Sequence, residues 1–287
     1  MARFDWYQAS VAAEVAPLMD ALSGGLVVGR ARWEPMQRAP HGFGGASRLH
    51  DDDGPVAMLW FGGMHVRPHV VFSGETAQGG ADLLRAQFPQ HFVSRADVCT
   101  DYGAAGAYDQ LQDLALAVAV DRGIVIDTRG DHLITKQGRT LYLGSTKSHT
   151  RMRLYDKAAE LRAKYAGQLT KLAELPETLA RLEFQVRPQT PAAKAAAALA
   201  DPVALMGSAA WTRDLVQRVD GLSLEPFMAG RPWRQADDDR AYFALLAQYG
   251  GVLLRIRDDL GSAECLGLQI VADLVERAAL KRVRGGR

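Results

Sequence analysis

Residues 151–157, RMRLYDK, place Arg151, Arg153, Tyr155 and Lys157 at every other position, with Met152 and Leu154 between them. Successive side chains of a strand point to opposite faces, so the pattern predicts a strand with one charged and one apolar face. Residues 95–101 repeat it, with Arg95, Asp97, Cys99 and Asp101 alternating with Ala96, Val98 and Thr100. Residues 181–187 do so again, with Arg181, Glu183, Gln185 and Arg187 set against Leu182, Phe184 and Val186. Further strand patterns cover 5–11, 25–33, 56–63, 65–74, 123–130 and 139–145, bounded by Gly, Ser or Asp turn signals. Helical periodicity fits 12–23, 79–89, 107–123 and 158–175.

Short strands with helices interspersed irregularly predict an α+β class with a largely antiparallel sheet. Pro188 and Pro191 close this region, and the Ala/Leu-rich stretch beyond reads as helical. The expected division is therefore a 1–191 α+β domain and a 192–287 helical region. The chain shows no internal repeat in sequence and no low-complexity tract.

Composition narrows the class. The 287 residues are 48% hydrophobic and 23% charged, ordinary for a folded protein. The sequence has no apolar run long enough to span a membrane and no signal-like layout at its start, so a cytoplasmic location is expected. Cys99 and Cys265 are expected to be free thiols. Net charge is only +1, yet residues 129–164 hold nine Lys/Arg against three Asp/Glu. A basic stripe on a neutral chain suits a groove that grips phosphates, though a solvated charged face would look the same.

If the three polar faces join in one sheet, they bring together carboxylates, guanidiniums and a tyrosine. Asp97, Asp101 and Glu183 would repel one another unless a cation settled among them. Mg²⁺ or Mn²⁺ suits such hard oxygen ligands and would polarise a phosphoryl oxygen. A tyrosine can attack phosphorus and hold it covalently, dividing a strand transfer into two steps. The plain alternative is a solvent-facing ladder of ion pairs, each contributing under about 1 kcal/mol. Tyr142, between Leu141 and Leu143, can reach the same face and is a rival nucleophile, with Tyr102 third. His65 and His69, four apart across Pro68, read as ordinary strand-end histidines.

The segments RADVCTD, YLGSTKSHTRMRLYDKAAE and RLEFQVR resemble, in order and spacing, the core motifs of the Rep_trans-type rolling-circle replication initiators. The resemblance spans roughly residues 55–190, and the opening FDWYQASV is similar to phage members. It implies an enzyme that nicks one strand of origin DNA, leaving a 5′-phosphotyrosine and a free 3′-OH primer, and later rejoins the strand. Tyr155 would be the nucleophile, with Arg153 and Lys157 steadying the scissile phosphate. Asp97, Asp101 and Glu183 would hold Mg²⁺ or Mn²⁺. Lys147, Arg151, Arg181 and Arg187 are the expected DNA contacts. Origin DNA, single-stranded or in a hairpin, a host replicative helicase and a second copy of the chain would be the partners. A DNA-binding protein without the chemistry is the alternative. Tyrosine recombinases are excluded by order, because Tyr155 lies mid-chain, ahead of the Glu183 segment.

Overall fold

Period-two alternation builds most of the fold, and the computed structural model describes residues 1–230 and 237–284. The first half runs β1 (Arg3–Val11), α1 (Val15–Leu26), β2 (Arg32–Pro35), β3 (Gly45–His50), β4 (Pro55–Phe61), β5 (His69–Ser73) and α2 (Thr76–Gln87). The second half runs β6 (His91–Tyr102), α3 (Ala107–Arg122), β7 (Ile126–Arg129), β8 (Thr140–Leu143) and β9 (Thr150–Asp156). It continues through α4 (Lys157–Lys164), α5 (Leu169–Ala173), β10 (Ala180–Val186) and α6 (Pro191–Leu199). Then follow α7 (Pro202–Met206), α8 (Ala210–Asp220), α9 (Asp237–Leu260) and α10 (Ala263–Arg284).

All ten strands join one sheet in the order β2-β3-β4-β5-β1-β6-β10-β9-β8-β7, and every pairing is antiparallel. The expected α+β class holds. Inward-facing Leu59, Phe72, Val98, Met152, Leu154 and Phe184 are fully buried. They form one core with buried residues of α1, α2, α3, α6, α7 and α8. Burying such side chains stabilises the fold by roughly 1.5–3 kcal/mol each.

The strand order contains a repeat that the sequence does not display. Outward from the central β1–β6 pair, β5, β4, β3 and β2 on one side match β10, β9, β8 and β7 on the other. The helices match too, α1 with α3 and α2 with α6. Register makes the correspondence residue by residue. Trp60 opposes His69, which opposes Ser10; likewise Tyr155 opposes Arg181, which opposes Asp101. On the core face Leu59 corresponds to Leu154 and Leu49 to Leu143, all fully buried. The halves differ most between their fourth and fifth strands, where the short 62–68 loop is matched by α4 and α5.

The chain divides into two compact units, 1–232 and 233–287. The helical region expected from 192 is thus shared between them. Helices α6, α7 and α8 belong to the first unit because Ala193, Ala197, Leu205, Leu215 and Val216 are buried. Thr190 and Asp201 cap α6 and α7, each followed by proline at the first helical position. The second unit is the pair α9 and α10, joined near Gly261 at φ +82°. Segment 25–33, expected as a strand, is divided between the end of α1, a connecting loop and the start of β2, while 45–50 is a strand. Among the described residues no helix is long and apolar enough to cross a membrane.

Candidate active site on the polar sheet face

The three alternating segments lie side by side as β6, β10 and β9. Their polar positions therefore form rows across the sheet: Tyr155–Arg181–Asp101, Arg153–Glu183–Cys99 and Arg151–Gln185–Asp97. The tight entry into β9 depends on Gly144, at φ +89°, where an added Cβ would stand 3.0 Å from the Thr150 carbonyl oxygen. A side chain there would strain the backbone and strike the turn.

Each expected carboxylate already has an arginine. Asp101 accepts bonds from Arg181 at 2.6 and 2.8 Å and from Arg3 at 2.5 Å. Arg181 also donates to Asp5 at 2.6 Å, and only 5% of it is exposed. Arg181 therefore locks three strands together and, so held, is not free to contact DNA as expected. Asp97 accepts from Arg95 at 2.8 Å and from Gln185 at 3.4 Å. Glu183 accepts from Arg153 at 2.5 Å.

These pairings bear on the metal. Among the described residues no group of three His, Cys, Asp or Glu side chains could hold a metal ion. Asp97, Asp101 and Glu183 do not form the expected three-carboxylate group: Arg181 and Arg153 stand opposite Asp101 and Glu183 in register, and Arg95 reaches Asp97 from two residues away on β6. As they stand they do not fit a three-carboxylate metal centre.

Tyr155 is 8% exposed, with the Arg153 guanidinium 4.7 Å and the Lys157 ammonium 5.7 Å from its ring centroid. Burial raises its phenol above the ordinary range; Glu183 adds to this and Arg153 opposes it. Burial also pushes the Glu183 carboxyl up to about 7, against the pull of Arg153 and with help from Asp97. Glu183 is the diagonal neighbour of Tyr155 across β9–β10. A buried phenol and a carboxyl of raised pKa thus lie on adjacent strands of one face.

Lys157 was expected on the strand, but it opens α4, whose N-cap is Asp156, the carboxylate accepting from the Ala159 amide at 2.8 Å. A cation in the first turn opposes the helix dipole. Glu160, 3.0 Å from the ammonium, offsets this. Lys147 is exposed in the β8–β9 turn, and Arg187 donates to the Thr146 carbonyl at 2.7 Å.

Tyr142 opposes Arg153 from β8, with the Arg151 guanidinium 4.0 Å from its ring centroid. It shares with Tyr155 and Arg153 an open cleft of about 700 Å³, also lined by Lys136, Arg139 and Arg162. A smaller hollow of about 190 Å³ adjoins it, sharing Tyr142 and Arg153 and lined further by Arg95, Arg151, Glu183 and Arg187. Tyr102 is removed from this face, its hydroxyl donating to Asp220 of α8. Lys136, Arg139 and Arg162 belong to no motif of their own in the sequence, and the basic excess over 129–164 is their signal.

No protein-family model matches the chain, and no curated protein matches it. Among solved structures, it is similar to the "Structure of Rolling Circle Replication Initiator Protein from Geobacillus stearothermophilus". That likeness has 17% identity and a TM-score of 0.49, and covers 79% of this chain and 99% of that chain.

Proposed function

We propose that the protein is a DNA strand transferase of the rolling-circle initiator kind, with Tyr155 as nucleophile. What supports this reading is the grouping of Tyr155, Arg153 and Glu183 beside a cationic cleft. In the nicking step the Tyr155 oxygen bonds to phosphorus and the bond from phosphorus to the 3′ oxygen breaks. The phenolic proton passes to the Glu183 carboxylate, and the departing 3′ oxygen takes a proton from water. Arg153 and Lys157 stabilise the negative charge that builds on the phosphoryl oxygens. The 3′-OH can prime synthesis, and the reverse step rejoins a strand.

The test is incubation with labelled single-stranded origin-type oligonucleotides, followed by denaturing separation. A covalent adduct is expected from wild type and not from Tyr155→Phe. An adduct that survives in Tyr155→Phe and is lost in Tyr142→Phe would transfer the role to Tyr142. From the resemblance alone we also propose a requirement for Mg²⁺ or Mn²⁺; nicking indifferent to EDTA would remove that requirement.

A second reading, a DNA-binding protein without strand chemistry, is favoured by the burial of Tyr155 and by the arginine held on each expected carboxylate. Tight binding with no adduct under any metal condition would select it.

A further inference from the structure

The two-fold counterpart of Tyr155 is Trp60, and it sits among aromatic rings. Trp60 and His69 stack at 5.2 Å between centroids, and Phe43 and His65 stack at 3.9 Å. Phe43 stands 5.9 Å from Trp60 and 6.0 Å from His69, joining the two stacks. Phe43 is half-buried and His65 exposed, so the cluster is open at one side. The Trp60 indole nitrogen is buried and has no hydrogen-bond partner among the described residues.

The support around these rings is stiff. Gly63 has φ +68°, and an added Cβ would stand 2.4 Å from the Gly42 carbonyl oxygen. His65 bonds to the His41 carbonyl oxygen at 2.8 Å. His69 is held by Ser10 at 3.0 Å, and burial foremost, with the charges of His41 and His65, lowers its pKa to about 4. The His69 ring is therefore neutral at physiological pH. Aromatic rings clustered around a neutral imidazole suit the flat face of a base better than a phosphate.

Elsewhere on the same face, four arginines each lie over an aromatic ring. They are Arg67 on Phe92 at 4.6 Å, Arg95 on Trp6 at 4.6 Å, Arg151 on Tyr142 at 4.0 Å and Arg153 on Tyr155 at 4.7 Å. Phe92 opposes Ser10 and Trp6 opposes Asp97, so both rings share the polar face. The Nε atoms of Arg151 and Arg153 are buried without a hydrogen-bond partner among the described residues. Arg67 has no carboxylate partner among the described residues. Cations alternating with rings are what a single strand needs, its phosphates paired and its bases stacked. From β4 to β9 the line crosses roughly 24 Å of sheet, at about 4.8 Å per strand.

We propose that single-stranded DNA crosses the polar face diagonally from Tyr155 over Arg153, Arg151, Arg95 and Arg67, and that the Phe43–Trp60–His69 pocket receives one of its unpaired bases. The proposal rests on the strand-transferase reading for what lies at Tyr155, and its test separates the two. Full-length protein is titrated into a fluorescent single-stranded oligonucleotide, intact or with one abasic site moved along its length. At one position away from the nick, the abasic site should weaken binding roughly 5- to 150-fold, the range for one stacked base. Phe43→Ala and His65→Ala should lose a similar factor on intact DNA, ignore that abasic site, and keep the wild-type salt dependence. Phe43→Leu preserves packing volume without a π-face, and should behave like Phe43→Ala. Wild-type affinity in Phe43→Leu and in exposed-site His65→Ala, or no sensitive abasic position, overturns the pocket while adduct formation at Tyr155 stands. Failure of the wild type to bind single-stranded DNA at all overturns both.

Discussion

The two halves of the sheet share a plan and diverge on one face. On the core side, corresponding positions remain apolar, Leu59 with Leu154 and Leu49 with Leu143. On the polar side, Trp60, His69 and Ser10 stand where the other half has Tyr155, Arg181 and Asp101. Packing constrains the buried face, because even one lost methylene is felt in a close-packed core. The polar face is held by pairing rather than apolar packing, and the second half fills it with buried ion pairs while the first fills it with rings. The sheet is thus a common scaffold, and chemistry belongs to the side chains placed upon it.

The largest effect should come from Tyr155→Phe. It abolishes the covalent adduct while leaving single-strand affinity nearly unchanged, since only the attacking oxygen is lost. Denaturing gels and anisotropy read the two quantities separately. Next is Glu183→Gln, expected to slow single-turnover nicking by about 10²- to 10⁴-fold, the usual contribution of a positioned base. With Glu183 raised to about 7, only its ionised form accepts the phenolic proton. The wild-type rate should therefore climb as pH rises through about 7, and the Gln variant should lose that limb. A wild-type profile flat from pH 6 to 8 would remove Glu183 as the base.

The halves can also be set against each other in stability. Asp101→Ala leaves Arg181 buried beside Arg3 with one carboxylate fewer, a change that costs about 3–5 kcal/mol for a broken buried pair. Its counterpart Ser10→Ala loses one hydrogen bond to His69, about 1 kcal/mol. Denaturant titration should show that order, and equal losses would mean that the ion pairs are not what closes the second half. The smallest effect is electrostatic. Arg151→Ala should flatten the slope of log affinity against log salt by about 0.7, one phosphate contact to a single strand, with little change in rate at saturation. Arg153→Ala should flatten it similarly and also slow cleavage.

The polar face was legible in the sequence because a period of two is independent of what a strand pairs with. Arg151, Arg153 and Tyr155 share a face in any antiparallel sheet. Legibility ended where strand order and register decide the outcome. Nothing local says that Arg181 stands opposite Asp101 and within reach of Asp5, so a residue expected to touch DNA is instead an internal tie. Lys157 fits the alternation, yet Asp156 caps a helix at that point and carries the lysine into its first turn. Segment 45–50 was missed because its two core-facing positions are Ser47 and Leu49, of which only one is apolar, so no alternation shows. The repeat was hidden because the halves share apolarity rather than identity, and α4 and α5 shift the spacing of everything after them.

That extra stretch, 157–179, has a closed base. The Leu179 carbonyl oxygen accepts from the amides of both Lys157, at 2.7 Å, and Ala158, at 3.2 Å. Ends fastened in this way close the excursion on itself, while buried Ala158 and the Thr178 hydroxyl bonded to the Gly103 carbonyl tie its base, not its tip, to the sheet. Closing a loop about threefold longer than 62–68 costs only about 1 kcal/mol of chain entropy. For protein engineering the hairpin is therefore an exchangeable cassette. Its tip can be shortened, lengthened or replaced to alter what enters the cleft, while Tyr155 and Arg181 keep their register below.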